Sequence, residues 1–210
     1  MVPQQSDSIE RLAYREAGHA VMSYLIRKGF TEKYVPVDRS LILPAFKEVA
    51  LSGEGADWGE ITSGLGSLIT TAQVLLAGNA SEQLKFSTSK DTSAPEAALV
   101  KQAEHLTAAY IEEYAGEGIG LSERDARTKE LLQEISKFVD ETLHIYWTSV
   151  EALATALLER TSLLEDEAFG IIERYIPEDA KARAKAFASR DPKEALAALL
   201  KKMSDERDLS

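Results

Sequence analysis

Apolar positions recur along most of this chain with the period of an α-helix. Ile9, Leu12, Ala13, Ala17, Ala20, Tyr24 and Leu25 follow one another at helical spacing and share one face. The pattern predicts a first helix that starts near Asp7 or Ser8 and runs to about Lys28, where Gly29 supplies a C-cap. Gly18 falls in the middle of it. A mid-helix glycine costs roughly 1 kcal/mol relative to alanine, so we read Gly18 as a point of close packing. Residues 33–52 break the helical period. Tyr34-Val35-Pro36-Val37 and Leu41-Ile42-Leu43 predict short extended segments, which Pro36 and Pro44 confine to a sheet edge.

The Gly-rich stretch 53–66 predicts a loop into a second helix from about Ser67 to Phe86. Phe86 to Ser93 is polar and predicts another loop. Ser93-Ala94-Pro95-Glu96 then reads as a helix start, with Ser93 as N-cap and Glu96 reaching back. That helix should continue to about Tyr114. Beyond the glycines of 116–120, neither Gly nor Pro occurs from Leu121 to Phe169. Leu131, Leu132, Ile135, Phe138, Val139, Tyr146, Val150, Leu153, Leu157 and Leu158 hold one apolar stripe through it. The stripe predicts a long helix, or a near-continuous pair, of about 40 residues and roughly 60 Å. Pro177 and Pro192 open two further short helices. The chain is expected to be mainly α, with a small β element.

Composition narrows the function classes. The chain has 210 residues, enough for one domain with an appendage and a sizeable core. Its net charge of −11 argues against a general binder of nucleic acid or anionic membranes. The acidity is uneven: residues 176–210 hold 8 basic and 7 acidic side chains, against 16 and 28 in residues 1–175. This contrast sets an expected boundary between a body, residues 6–175, and a helical C-terminal extension, residues 176–210. The absence of cysteine excludes disulfides, thiolate zinc sites and a cysteine nucleophile. No apolar run approaches the roughly 18 residues of a membrane span, and the first residues lack the pattern of a signal peptide. A cytoplasmic protein is the expectation.

The chemistry concentrates in Arg15-Glu16-Ala17-Gly18-His19. A zinc-protease helix carries histidines at i and i+4, where both imidazoles reach one Zn²⁺, and a glutamate beside the first as general base. Here Glu16 and His19 stand in place, but the first ligand position holds Arg15. A guanidinium is permanently charged and has no lone pair for a metal.

Leu12-Ala13-Tyr14-Arg15-Glu16-Ala17-Gly18-His19-Ala20-Val21 resembles the signature helix of the FtsH-type ATP-dependent zinc metallopeptidases, whose core reads His-Glu-Ala-Gly-His. Tyr34-Val35-Pro36-Val37 is similar to the edge strand that follows it. Val74-Leu75-Leu76-Ala77-Gly78-Asn79-Ala80-Ser81-Glu82-Gln83-Leu84 is similar to the family's Leu-Ala-Gly-Arg-Ala-Ala-Glu-Glu helix. Leu121-Ser122-Glu123 and the segment from Val150 to Arg160 look like its closing helices. The resemblance covers roughly residues 9–175 and implies a helical FtsH-like peptidase domain. It implies Glu16 as the general-base position and His19 as a zinc ligand. The third ligand would match Glu96, or else Asp91 in the preceding loop. Tyr34, Val35 and Val37 would line bound substrate. No ATP-binding Gly-x-x-x-x-Gly-Lys-Ser/Thr loop is present, so ATP-driven unfolding does not carry over.

Arg15 beside a Zn²⁺ would be repelled by several kcal/mol at about 4 Å and an effective dielectric constant near 20. The expectation is therefore a degenerate, catalytically silent homologue without a cofactor, in which Arg15 pairs with Glu96, Asp91 or another acid. Glu16 would then be structural, a partner for His19. Such a protein would act by binding a protein or peptide, by self-association, or by assembly with active homologues. The alternative is a zinc-dependent endopeptidase acting on unfolded proteins or peptides. A second spacing, Glu16-x-x-His19 with Glu141-x-x-His144, is that of di-iron bundles, but His144 sits off the apolar stripe and is expected in solvent. His105 is likewise expected on the surface.

Overall fold

The computed structural model describes residues 4–28, 48–50, 65–87, 94–115 and 120–180. These residues form six helices and a two-stranded ribbon: α1 (Gln4–Lys28), β1 (Glu48–Ala50), α2 (Leu65–Phe86), α3 (Ala94–Ala115), α4 (Leu121–Ile145), α5 (Trp147–Arg160), β2 (Ser162–Leu164) and α6 (Glu165–Arg174). The fold is mainly α, as the helical periodicity predicts.

The central helix is α2. Every residue from Ile69 to Gly78 is buried, because α2 packs against α1, α3 and α4 at once. A helix enclosed on all sides has no polar face, and the run Val74-Leu75-Leu76-Ala77-Gly78 reflects that. Helix α1 packs on α2 with one side and on α5 with another, burying Ala13, Ala17, Ala20, Val21, Tyr24 and Leu25. It ends at Lys28 as predicted but starts at Gln4, ahead of the Asp7–Ser8 signal. Helices α2 and α3 begin and end within two residues of their predicted bounds.

The apolar stripe after Leu121 is carried by a near-continuous pair. Helices α4 and α5 are separated only by Tyr146, at φ −102° and ψ 21°. Its amide donates to the Thr142 carbonyl at 3.1 Å, and the Ser149 amide donates to the Tyr146 carbonyl at 2.9 Å. Helix α5 stops at Thr161, which adopts the left-handed conformation at φ 61° and donates its amide to the Leu157 carbonyl. The chain then extends into β2. Three acidic residues, Glu165, Asp166 and Glu167, occupy the first turn of α6, where they complement the positive end of the helix dipole. Glu167 accepts the Leu164 amide at 3.0 Å, one half of a capping box.

The described β element is carried by other segments than the two expected ones. Within the expected region 33–52 the described strand is Glu48–Ala50, and it pairs antiparallel with Ser162–Leu164, which periodicity alone leaves in a helical stretch. Leu163 anchors the ribbon in the core at 1% exposure. Tyr34, Val35, Val37 and the segment Leu41–Leu43 lie outside the described residues. Ile176 and Ala180 are buried in the same core as the helices; residues 181–210 of the expected extension, including the helix expected after Pro192, lie outside. Among the described residues, no helix is long and apolar enough to cross a membrane.

Candidate functional site

The motif helix faces α2, and the two helices run antiparallel. Arg11 and Arg15 meet Glu82, Gly18 meets Ala77 and Ser81, and His19 meets Val74 and Gly78. Small residues let the backbones approach. A Cβ on Gly18 would stand within 3.0 Å of the Ala77 carbonyl and the Ser81 side chain. Ser81 Oγ stitches the crossing by donating to the Tyr14 carbonyl at 2.5 Å. The close packing expected at Gly18 is thus met by α2.

Arg15 is paired with Glu82. Its Nη2 donates to Oε2 at 2.6 Å and its Nε to the same oxygen at 3.2 Å. Arg11 Nη1 takes the other carboxylate oxygen, Oε1, at 3.0 Å, and its guanidinium lies 4.6 Å above the Phe86 ring. One carboxylate therefore bridges two arginines one helical turn apart. The side chains of Arg15 and Glu82 are only 14% and 12% exposed, so the pair is largely withdrawn from water.

His19 is fully buried. Its Nδ1 lies 2.7 Å from the Val74 carbonyl oxygen, which can only accept, so Nδ1 carries the proton. Burial pushes the imidazole down to about 4, with the Val74 hydrogen bond acting against that shift and the Arg15 charge adding to it. The ring is neutral at physiological pH. Its Nε2 edge lies against Gly78, where a Cβ would stand within 3.0 Å of three ring atoms.

These residues do not fit a zinc ion. A ligating imidazole needs the metal about 2.0–2.1 Å from one nitrogen, with room for three further ligands. Around His19 those directions are taken by the Val74 carbonyl and the α2 backbone at Gly78. A guanidinium already bound to a carboxylate stands at the first ligand position. Among the described residues, no group of three His, Asp or Glu side chains is placed to hold an ion.

The other expected site residues are dispersed. Glu16 is half-buried on α1. Glu96 sits in the first turn of α3, its side chain outside the described residues, and Asp91 lies outside them altogether. His105 and His144 are exposed, as expected, and Glu141 pairs with Lys137 across one turn of α4. A di-iron centre, which needs its second Glu-x-x-His inside the bundle, is excluded by that placement.

Two partners of the motif were not singled out from sequence, Glu82 and Gly78. The stripe Val74, Gly78, Glu82 carried the signal: its spacing of four matches Arg11, Arg15 and His19 on the facing helix. No protein-family model matches this chain, and no curated protein does.

Proposed function

We propose that this chain is an FtsH-like peptidase homologue whose metal-site helix has become a structural joint, and that it acts by binding rather than by proteolysis. The observation that carries this reading is the Arg15–Glu82 pair, 2.6 Å long and largely buried. It puts a fixed positive charge where the peptidase motif needs a neutral imidazole. A pair of this kind would leave Glu16 without the metal-bound water on which a general base acts. The proposed partner is a protein or peptide, with assembly beside active homologues as one form of that role.

Metal content tests the reading. The purified, untagged chain is loaded with Zn²⁺, dialysed and measured by elemental analysis, alongside a peptidase assay on an unfolded substrate. The expected result is no retained zinc and no activity that a chelator abolishes. Near-stoichiometric zinc with chelator-sensitive cleavage overturns the proposal and restores the endopeptidase alternative.

A further inference from the structure

A groove of about 660 Å³ follows the outer face of α5. Its floor is made of Thr148, Ala152 and Ala156, one helical turn apart. One end is fixed by three contacts. Tyr14 stacks on Trp147 at 5.8 Å, Lys85 pairs with Glu151 at 3.7 Å, and Ser149 Oγ donates to the Ile172 carbonyl at 3.3 Å. The last contact brings the end of α6, with Arg174 and Tyr175, to the same place. Glu159 lies at the opposite end, two turns past Glu151 and about 12 Å along the helix.

The charges of this groove are distinctive. Lys85 and Arg174 stand against Glu151 and Glu159, so the surface is neutral in a chain of net charge −11. Arg174 and Glu159 are both exposed, and neither has an ion-pair partner among the described residues. They are one cation and one anion at opposite ends of one face.

We propose that this groove is the interface of a two-fold homodimer, with Arg174 and Glu159 of each copy pairing with Glu159 and Arg174 of the other. A two-fold interface must be complementary to itself. A dyad between Ala152 and Ala156 sets the two α5 helices antiparallel. It lays the Glu159 end of one copy over the Arg174 end of the other, and the same contact recurs by symmetry. Tyr175, 44% exposed, adds apolar surface at the rim. A neutral face is also where two strongly acidic copies meet with least repulsion. The interface stands independently of the metal-site reading.

Sedimentation velocity on the full chain across the micromolar range tests it. The wild type is expected at twice 23.0 kDa. Glu159→Arg and Arg174→Glu each place like charges at both symmetric contacts and should raise the dimer Kd at least about tenfold. Each should leave the helical circular dichroism unchanged. The double reversal, Glu159→Arg with Arg174→Glu, should restore the dimer. The proposal is overturned by a wild type that stays monomeric, by a dimer that neither single reversal weakens, or by a double reversal that fails to rescue.

Discussion

His19 and Gly78 fit as ring against backbone, with no space left for a Cβ between them. The imidazole is fully buried and the glycine belongs to the central helix, so neither can retreat cheaply from an added methyl. Gly78→Ala should destabilise the protein by about 1–3 kcal/mol through overpacking, despite alanine's better helix propensity. Urea denaturation measures it. In a His19→Ala background the same substitution should cost much less, because the ring it strikes is gone. Equal costs in the two backgrounds would refute the contact as the cause.

The same histidine makes stability depend on pH. Its folded value of about 4 lies below the 6.5 of an exposed imidazole, with burial as the largest cause. Between these values the unfolded chain takes up a proton that the folded chain refuses. Stability from this group is therefore fully present above pH 6.5, falls as the pH drops toward 4, and changes no further below it. The loss amounts to roughly 3 kcal/mol. Urea titrations at a series of pH values should show this slope, and a folded His19→Gln variant should lack the His19 contribution to it.

Glu82 is shared by Arg11 and Arg15, and the two sides of that network should respond unequally. Arg15→Met removes one partner and leaves the carboxylate with Arg11, 3.0 Å away. Glu82→Ala removes both ion pairs at once, in a partly dry setting. The glutamate variant should therefore cost more, by about 2–3 kcal/mol against 1–2 for the arginine. Thermal and urea unfolding of both variants check the order. An arginine substitution more damaging than the glutamate one would show that packing of the Arg15 stem outweighs its charge.

Much of this fold was legible because helices write their period into the sequence. The bounds of α2 and α3 follow from a glycine-rich approach, a polar loop and a Ser-x-x-Glu start. The pairing of α4 with α5 follows from one unbroken stripe. The ribbon was not legible: Ser162-Leu163-Leu164 is as apolar as the helix before it, and its strand state depends on β1, more than a hundred residues away in sequence. The site was half legible. Arg15 marked where the helix departs from the zinc-protease pattern it resembles, since a guanidinium cannot ligate. Which acid it meets depends on how α1 crosses α2, and single-helix periodicity does not specify a crossing.

Thr161 ends α5 at φ 61°, a conformation that a β-branched residue enters only under strain. Its hydroxyl contacts the carbonyl of the preceding residue, Arg160, and the residue is exposed. Little packing is lost by removing the side chain. Thr161→Gly should raise stability by about 1 kcal/mol, with a matching rise in Tm, because glycine adopts the left-handed C-cap without cost. A Tm that falls would mean the contacts of the threonine exceed its strain.

Gln73 presents a different cost, inside the core. It is fully buried in α2, and neither amide atom meets a hydrogen-bond partner among the described residues. A buried amide without partners gives up its hydration for nothing, a penalty of about 1–3 kcal/mol. Methionine has nearly the same length and volume, asks for no hydrogen bond, and is flexible enough to take the same space. Gln73→Met should therefore stabilise the protein by about 1–2 kcal/mol in urea denaturation, with an unchanged m-value. A loss of stability would place an ordered water on the amide, since only a satisfied glutamine is missed when it is removed.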